Sequence, residues 1–487
     1  MDTFEANGVT LERVRKHVWE LPQTGDMRVP GRVFASRSLL EEISEDKTLE
    51  QLRNTTHLPG IQKYAICLPD GHQGYGFPVG GVGAMDAETG CISPGAVGYD
   101  INCGVRMLRT NLTYEDIVGR EADLVDELFA SIPSGLGGGG VLEGSRADVD
   151  AILERGMDWA LEEGWAVEAD LTHCEDEGVR PEADASCVSM KAKDRGKAQV
   201  GSLGSGNHFL EVQRVTDLFL EDVAAAYGLA EDQIVVLIHC GSRGLGHQVC
   251  TDYLREIEQA HASLLERLPD RELAAAPAGS ELASEYYRAM CAAINFAWVN
   301  RQLIMHETRR VFERVFETSW EALEMQLLYD VAHNIAKREV HTVEDGSERE
   351  LFVHRKGATR AFPSGHPAVP SAYRSVGQPV IIPGSMGAGS YVLRGGEASL
   401  ELTFGSTAHG AGRLMSRTQA KQDYWGETVQ EELREGQQIF VKAQSGATVA
   451  EEAPGVYKDI DEVVRVSDAL GIGDKVARTF PVCNIKG

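Results

Sequence analysis

Four histidines and one cysteine of this chain stand among glycines and small polar residues instead of on predicted helical faces. These residues are His208, His239, His333, His409 and Cys103, and the cysteine follows Asp100 in the same short loop. Thiolate, carboxylate and imidazole groups are the donors of a transition-metal site. Glycines beside them allow a backbone or a phosphate to come close. The pattern therefore predicts metal-assisted chemistry on a phosphate.

Each of these groups also has a simpler interpretation. A single histidine is more often a core or surface residue than a ligand, and we interpret the following histidines in that way: His17, His57, His173, His261, His306 and His341. Asp100 alone would be an ordinary turn aspartate that binds backbone amides. The neighbours of the first group favour a site, because Asn, Gly, Ser or Arg stands beside each of its histidines, and such residues suit an anion.

The composition is that of a folded protein, with 43% hydrophobic residues among 487. No apolar run approaches the roughly 18 residues that cross a bilayer. The first residues are acidic and polar, which is unlike a signal peptide. Nine scattered cysteines without Cys-x-x-Cys spacing predict buried thiols and no disulfide framework. We expect a soluble, cytoplasmic protein without membrane contact.

The net charge of −27 is large for this length. Such a surface repels nucleic acid at long range, whereas molar salt confines the repulsion to a few ångströms. We therefore expect a salt-adapted source, a halophilic archaeon. A nucleic-acid substrate is still compatible with this charge if basic residues gather locally.

The apolar pattern predicts an α+β fold, with a β-rich catalytic core surrounded by helices. Residues 234–238 read as a buried strand that delivers His239 to a loop, and residues 286–319 read as one long helix. The motifs are spread along the chain, so we predict a single domain over 1–487. Acidic, insertion-like segments near 121–196 and 270–285 carry no motif, and the second is expected to be an exposed connection.

Eight ordered motifs resemble the RtcB family of RNA ligases. They are LPDGHQGYGFPVGG at 68–81, GYDINCGVR at 98–106, GSGNHFLE at 204–211, HCGSRGLGHQ at 239–248, DVAHNIAK at 330–337, HRKGATRAFP at 354–363, PGSM at 383–386 and TAHGAGR at 407–413. The resemblance covers nearly the whole chain. It implies a GTP- and Mn²⁺-dependent ligase that joins RNA 3′-phosphate or 2′,3′-cyclic phosphate ends to 5′-hydroxyl ends, in tRNA splicing and RNA repair.

The resemblance also implies two Mn²⁺ ions per chain. Cys103 would bridge the ions, Asp100 and His208 would complete one site, and His239 and His333 would complete the other. Donor type alone does not select manganese, because zinc binds such ligands more tightly. The implied partners are tRNA exon halves, GTP and the small activator archease, and the protein is expected to act as a monomer.

By the same resemblance, His409 carries GMP as a covalent intermediate, with Arg413 and Asn207 as further catalytic residues. Glu211 is the candidate for reading guanine, helped by Ser385, Ser390 and Lys486. The complete set implied to bind the nucleotide is Asn207, His208, Phe209, Leu210, Glu211, His333, Asn334, Pro383, Gly384, Ser385, Met386, Ser390, His409, Gly410, Ala411, Gly412 and Lys486.

A basic track is predicted to hold RNA phosphates. Its members are Arg243, Lys337, Arg355, Lys356, Arg360 and Arg417, and the alternative is that they are scattered surface cations. Two other functions compete with ligation. A metal-dependent phosphoesterase would explain the metal donors but gives His409 no covalent role, and a non-catalytic RNA-binding module leaves the donors unexplained.

Overall fold

The computed structural model describes residues 2–135 and 139–487. In this described part, twenty strands follow one another along the chain. They are β1 Thr3–Ala6, β2 Val9–Arg15, β3 Val18–Leu21, β4 Gly31–Phe34, β5 Ala65–His72, β6 Val79–Asp86, β7 Cys91–Ile92, β8 Gly104–Thr113, β9 Phe209–Leu218, β10 Gln233–Cys240, β11 Ala276–Pro277, β12 Gln326–Ala332, β13 Asn334–Thr342, β14 Glu348–Lys356, β15 Ala358–Arg360, β16 Pro379–Ile382, β17 Ser390–Gly395, β18 Ser406–Ala408, β19 Phe440–Ala443 and β20 Gly473–Lys486.

Two large sheets contain most of these strands. The first has the spatial order β1-β2-β3-β4-β5-β6-β14-β13, and it is antiparallel except where β4 runs parallel to β5. The second has the order β12-β8-β10-β9-β20-β17-β16, and β19 adds to it in parallel with β20. The strand pairs β7 with β11 and β15 with β18 form two further, two-stranded sheets. The predicted α+β class with a β-rich core is confirmed.

Seventeen α-helices lie in the same described part of the chain. They are α1 Arg37–Ile43, α2 Thr48–Thr55, α3 Tyr114–Ile117, α4 Glu121–Ser131, α5 Arg146–Arg155, α6 Met157–Glu162, α7 Glu168–Thr172, α8 Met190–Lys197, α9 Glu221–Tyr227, α10 Arg243–Ala260, α11 Ala262–Leu265, α12 Glu281–Phe316, α13 Ser399–Thr403, α14 Arg417–Asp423, α15 Gly426–Gln437, α16 Gly446–Glu451 and α17 Ile460–Leu470.

Strand β10 shows how the second sheet forms the core. Its residues alternate between the two faces of the sheet, and both faces are covered. Ile234, Val236 and Ile238 pack in one apolar cluster together with residues of α12, whereas Val235 and Leu237 pack in another cluster. This double burial explains the uninterrupted run of branched apolar residues in β10. The predicted strand at 234–238 is confirmed.

Helix α12 is the long helix predicted from the sequence, and it begins and ends slightly earlier than expected. Ser280 caps it by accepting a hydrogen bond from the Ala283 amide. Every residue from Ala289 to Met305 is buried, so the middle of the helix is enclosed on all sides, unlike a surface helix with one apolar face. Polar residues in this stretch therefore require buried partners.

Arg301 of α12 has such partners, and they lie under the loop that carries Cys103. Its guanidinium binds the Asp330 carboxylate, with Nη2 at 2.7 Å from Oδ1, and Arg106 binds the same carboxylate through Nε at 2.7 Å. Nη1 of Arg301 donates to the carbonyl oxygens of Asn102 and Cys240, at 2.8 and 2.7 Å. The network therefore fixes the backbone beside two of the predicted metal ligands.

The two acidic segments are integrated more closely than expected. The described residues of 121–196 form α4 to α8, and Glu175 and Asp176 bind the buried Lys337; residues 136–138 lie outside the described part. In the segment 270–285, residues 273–276 are buried, so this stretch is not wholly an exposed connection. Among the described residues, no helix combines the length and apolar character that a bilayer crossing requires.

Candidate active site

Four predicted metal ligands lie at one edge of the second sheet. Cys103 directly precedes β8, His208 directly precedes β9, His239 lies near the end of β10, and His333 directly follows β12. These four strands are neighbours in the order β12-β8-β10-β9 and run antiparallel. Starts of two strands and ends of the other two therefore meet at the same edge, and the sheet holds the side chains rigidly.

Together with Asp100, these side chains form what we call the metal-type group. It consists of two groups of ligands that share Cys103. One group is Cys103, His239 and His333, the other is Asp100, Cys103 and His208, and the ligand atoms within each lie within 4.8 Å of one another. The Cys103 sulfur is 3.3 Å from Nε2 of His239 and 3.5 Å from Nε2 of His208. With this spacing, the donors of each group could bind one cation, and the Cys103 thiolate would lie between the two cations.

The protonation of His239 and His333 suits metal binding. Burial lowers the pKa of His239 and of His333 well below the ordinary value, so both rings are neutral donors. In His208, by contrast, burial is outweighed by the nearby Cys240, Cys103 and Asp100, which raise the pKa well above its ordinary value, so that a cation would displace the proton of this ring. Burial, with Asp100 second, raises the pKa of the Cys103 thiol to about 12. A bound cation would displace this proton, since metal ligation favours the thiolate.

Several polar atoms of the group lack the partners that buried polar atoms usually have. Within the described residues, Nδ1 of His239, Nδ1 of His333 and Oδ1 of Asp100 accept or donate no hydrogen bond. The Nε2 atoms of His239 and His333 instead face each other at 3.3 Å. Two neutral imidazoles in this arrangement are stabilised when a cation lies between them.

His409 lies beside this group, with its ring centroid 4.9 Å from that of His333. Its Nδ1 donates to Oδ2 of Asp70 at 2.5 Å, and its backbone amide donates to the same oxygen at 2.9 Å. Burial alone would raise the pKa of Asp70, but contact with His409 outweighs it and lowers the pKa. The ionised carboxylate therefore fixes the proton on Nδ1 and leaves Nε2 as a free nucleophile.

The turn after His409 depends on Gly412. Its φ of 76° is left-handed, and a Cβ atom there would lie 2.2 Å from the Asp70 carbonyl oxygen. Any other residue would push the turn away from Asp70. The glycine thus keeps the histidine and its carboxylate partner together.

A pocket of about 250 Å³ is lined by Cys103, His409, Glu211 and Lys486 among other residues. Glu211 accepts a hydrogen bond from Nε2 of Gln213 at 2.5 Å and another from the Asn484 amide. Burial raises the pKa of Glu211 to about 7, although Gln213 and Lys486 oppose the shift. The hydroxyl of Ser385 is buried without a partner among the described residues.

Three cations on one wall of the pocket surround the buried carboxylate of Glu452. Nη1 of Arg413 is 3.0 Å from Oε1, Nε of Arg417 is 3.5 Å from Oε1, and Nζ of Lys486 is 3.8 Å from Oε2. The Tyr457 hydroxyl donates to Oε2. One carboxylate among three cations leaves an excess of positive charge, which suits a polyanionic ligand.

Comparison with known proteins assigns the chain to a family. Residues 51–487 match the family model described as tRNA-splicing ligase RtcB. A protein named tRNA-splicing ligase RtcB from Thermococcus kodakarensis is 55% identical over 480 residues, which are 98% of this chain and 99% of the relative. The chain belongs to the RtcB family.

Two further relatives with the same name agree with this assignment. The RtcB protein of Methanococcus maripaludis is 51% identical over 480 residues, and that of Aeropyrum pernix is 52% identical over 479 residues. In both cases the match covers 98% of this chain and 99% of the relative. The resemblance seen in the motifs thus extends over almost the entire length.

The structure brings together most residues that the RtcB resemblance assigned to the nucleotide. The catalytic candidate Arg413 lines the pocket. The nucleotide candidates that line it are Asn207, Phe209, Glu211, His333, Asn334, Pro383, Gly384, Ser385, Met386, His409, Gly410, Ala411, Gly412 and Lys486. Of the others, His208 belongs to the second metal group and Leu210 packs in the apolar core. Ser390 lies behind Glu211, where its hydroxyl oxygen accepts from Gln213 at 3.1 Å.

The predicted basic track is wrong for three of its members. Lys337, Arg355 and Arg360 are buried. Lys337 and Arg360 both bind Asp176, at 2.7 and 2.9 Å, and Arg355 binds Glu339 at 2.6 Å. Their side chains stabilise the fold instead of binding RNA. The prediction failed because the sequence does not show which cations have acidic partners elsewhere in the chain.

The other three members of the track lie at the site. Lys356 and Arg417 line the pocket, and Nη1 of Arg243 is 3.4 Å from Nδ1 of His208. Burial lowers the pKa of Lys356 to about 7, and its ammonium donates to the carbonyl oxygens of Tyr75 and Gly95 at 2.7 and 2.9 Å. These cations surround the chemistry instead of forming a surface path.

Four residues at the site were not singled out from the sequence. Asp70 and His72 belong to the motif at 68–81, whose position among the RtcB motifs was the available signal. Glu452 and Tyr457 belong to no motif that we identified. Both line the pocket, and only the folded chain shows that they approach Arg413.

Proposed function

We propose that this protein is a GTP-dependent RNA ligase that joins 3′-phosphate or 2′,3′-cyclic phosphate ends to 5′-hydroxyl ends through a guanylated His409. The observation that carries the proposal is the position of His409. Asp70 accepts the Nδ1 proton in a hydrogen bond, the metal-type group adjoins the ring of His409, and Glu211 lines the same pocket. The names of the relatives support RNA ligation in tRNA splicing.

In the first step, Nε2 of His409 attacks the α-phosphorus of GTP. A nitrogen–phosphorus bond forms, the bond to the β-phosphate oxygen breaks, and pyrophosphate leaves. Asp70 keeps the ring oriented and stabilises the positive charge that develops on it. Arg413 lies four residues along the same turn and offers a planar cation to the α-phosphate.

Guanine is recognised by Glu211. The carboxylate of Glu211 offers acceptors to N1–H and to the exocyclic amine, which adenine does not present in the same arrangement. Ser385, whose buried hydroxyl has no partner within the described residues, adds a polar contact, and the charge of Lys486 favours the ionised form of Glu211. Ser390 supports this end of the pocket through Gln213.

The metal-type group fits two divalent cations, which we propose to be Mn²⁺. Its donors are one thiol, one carboxylate and three imidazoles, arranged as two groups around Cys103. The short contacts among the Cys103 sulfur and the Nε2 atoms of His208, His239 and His333 support this assignment, because donor atoms that face one another are costly without a cation between them. Bound cations would supply Lewis acidity to the phosphates.

The later steps use the same pocket. The RNA 3′-phosphate attacks the phosphorus of the guanylate, the bond to His409 breaks, and an RNA 3′-guanylate forms. The RNA 5′-hydroxyl then attacks the RNA 3′-phosphorus and expels GMP. Asn207 and Asn334 face the pocket and are suited to positioning phosphates. A 2′,3′-cyclic phosphate must first be opened by water.

The wider assignments rest on the family. We propose that the natural substrates are tRNA exon halves, that the protein acts as a cytoplasmic monomer folded as one domain over 1–487, and that an archease partner stimulates it. Light scattering in solution and ligation assays with and without archease test the monomer and the activator separately.

Transfer of label from α-labelled GTP tests the central step. With Mn²⁺, the wild-type protein is expected to acquire an acid-labile, base-stable label, as a phosphoramidate does. His409→Ala should bind metal but take no label, and it should still seal RNA that already carries a 3′-guanylate. Absence of label on the folded, metal-loaded wild-type protein would contradict the proposal and favour a phosphoesterase.

A further inference from the structure

Trp425 is conspicuously exposed close to the pocket. It leaves 76% of its surface in solvent, more than any other large hydrophobic residue in the described part of the chain. It lies between α14 and α15 and forms the N-cap position of α15. An exposed tryptophan is costly in water, and an aromatic ring of this size is a frequent anchor for ligands.

The backbone that carries Trp425 is held firmly on both sides. Tyr424 packs against the apolar cluster below α15, and its amide donates to the Ala420 carbonyl at 2.9 Å. Gly426 lies so close to α16 that a Cβ atom would be 2.1 Å from the Gly446 carbonyl oxygen. The indole is therefore presented from a fixed position, and its exposure is a property of the fold.

Helix α14 leads from the pocket to Trp425. Arg417, its first residue, lines the pocket, and Lys421 follows one turn later on the same face. Their side chains are 50% and 48% exposed even though Glu452 and Glu451 are ion-paired with them. A helix of seven residues is only about 10 Å long, so the ring lies within reach of the next few nucleotides of an RNA whose end occupies the pocket.

Aromatic rings combined with arginine and lysine are the usual means of binding single-stranded nucleic acid, because every base has a face that stacks. Stacking is especially useful to this protein. With a net charge of −27, its long-range field repels RNA, and added salt weakens both the repulsion and the cationic contacts. A stacked base does not depend on this balance.

We propose that Trp425 is a stacking platform for an unpaired base of the RNA end that enters the pocket, with Arg417 and Lys421 binding the phosphates between the ring and the reacting end. The inference rests on the proposed RNA ligase function, and it identifies the substrate class at this surface as a single-stranded end. A duplex terminus would offer no free base face at this distance.

The test compares Trp425→Ala with Trp425→Phe. Fluorescence anisotropy with a labelled single-stranded RNA bearing a 3′-phosphate measures the Kd, and ligation measures KM for the same RNA. Trp425→Ala is expected to raise both about tenfold, which lies within the usual contribution of one stacked base. Trp425→Phe should recover most of the loss, and the effect of Trp425→Ala should persist in 1 M KCl.

Phe219→Ala is the matched control. Phe219 is 43% exposed and follows the end of β9 that lies opposite His208, roughly 30 Å away at the rise of a strand. It should leave RNA affinity unchanged. Guanylation by GTP needs no RNA, so all three variants should label at the wild-type rate.

Three results would overturn the inference. The first is an unchanged Kd for RNA in Trp425→Ala, which would leave the surface to a protein partner. The second is an equal loss of RNA affinity in Phe219→Ala. The third is a parallel loss of guanylation in Trp425→Ala, which would indicate damage to the pocket. Failure of the proposed ligase function is distinguishable, because the wild-type protein would then take no label while the RNA Kd remains measurable.

Discussion

Two buried polar regions lie next to each other in this molecule and differ in how their polar atoms are satisfied. In the ion-pair network, Arg106 and Arg301 bind both oxygens of Asp330. In the metal-type group, the Nε2 atoms of His239 and His333 face each other at 3.3 Å, and Nε2 of His239 also lies 3.3 Å from the Cys103 sulfur, with no charged partner from the described residues between them. Both regions consist mostly of buried residues, so burial alone does not distinguish them.

The difference indicates which region stabilises the fold and which one awaits a ligand. Paired charges hold the backbone under Cys103 and gain nothing from an added cation. Metal-donor atoms that face one another at contact distance carry a free-energy cost that a bound metal removes. Arg301 connects the two regions, since it donates to the carbonyl oxygens of Asn102 and Cys240.

The largest effect on activity is expected for Cys103→Ala, because both metal groups include this sulfur. Guanylation should fall more than about 100-fold, beyond the loss seen when an outer partner of a metal ligand is removed. The unfolding midpoint of the metal-free protein should change little. Label transfer and elemental analysis measure these outcomes, with Cys67→Ala as the active control; two tightly bound metals per chain in Cys103→Ala would disprove the bridge.

The reverse pattern is expected for Asp330→Asn. This change leaves two buried guanidinium groups without their counter-ion, which costs about 3–5 kcal/mol of folding free energy. Denaturant unfolding measures the loss, and the exposed Asp345→Asn, whose partner is Arg349, is the control that should not change stability. Equal stability of Asp330→Asn and the wild-type protein would remove the distinction between the two regions.

Asp70→Asn tests a residue that resembles both regions. Its carboxylate is buried and paired, as in the ion-pair network, but its partner is His409 of the candidate active site. An amide in place of the carboxylate no longer fixes the Nδ1 proton, and guanylation should slow by about 100-fold or more, as in other histidines that lose their orienting carboxylate. The initial rate of labelling at saturating GTP measures this. A rate within twofold of wild type would show that His409 does not depend on Asp70.

A smaller, pH-dependent effect is expected at Glu211. Burial raises its pKa to about 7, so the carboxylate becomes protonated as pH falls below 7 and loses acceptors for guanine. The Kd for GTP should therefore increase by up to about tenfold per pH unit below 7. Calorimetry between pH 6 and 8 measures it. Glu211→Gln keeps the same metal ligands, and its Kd for GTP should lack this pH dependence. An identical pH profile in both proteins would contradict the assignment of Glu211 as the residue that recognises guanine.

The smallest effect per residue concerns the solvent-exposed charges of the surface. With a net charge of −27, the folded chain repels itself most strongly at 0.01 M salt, where the Debye length is about 30 Å. At molar salt the Debye length falls to about 3 Å, and the repulsion is screened. The unfolding midpoint and the ligation rate should both rise from 0.01 M towards 1 M KCl. A steady decline of both from the lowest salt would refute the proposed adaptation to salt.

Much of the site was predictable because its residues occur in ordered motifs. The strand before His239 and the long helix α12 were also evident from apolar patterns. The ion-pair network was not, because a lysine such as Lys337 looks identical whether it faces solvent or Glu175, a residue far along the chain. For the same reason, the role of Glu452 depends on contacts that no local pattern contains.

The pairing of Asp70 with His409 has a consequence for how the chain reaches its native state. These two residues are 339 positions apart, and Phe209 pairs with Lys486 across neighbouring strands. Contacts of such high sequence separation form slowly, because loop closure must precede the energy that they release. Metal uptake and labelling of His409 should therefore appear late in refolding, after most helical signal has returned, and would report completion of folding better than secondary structure does.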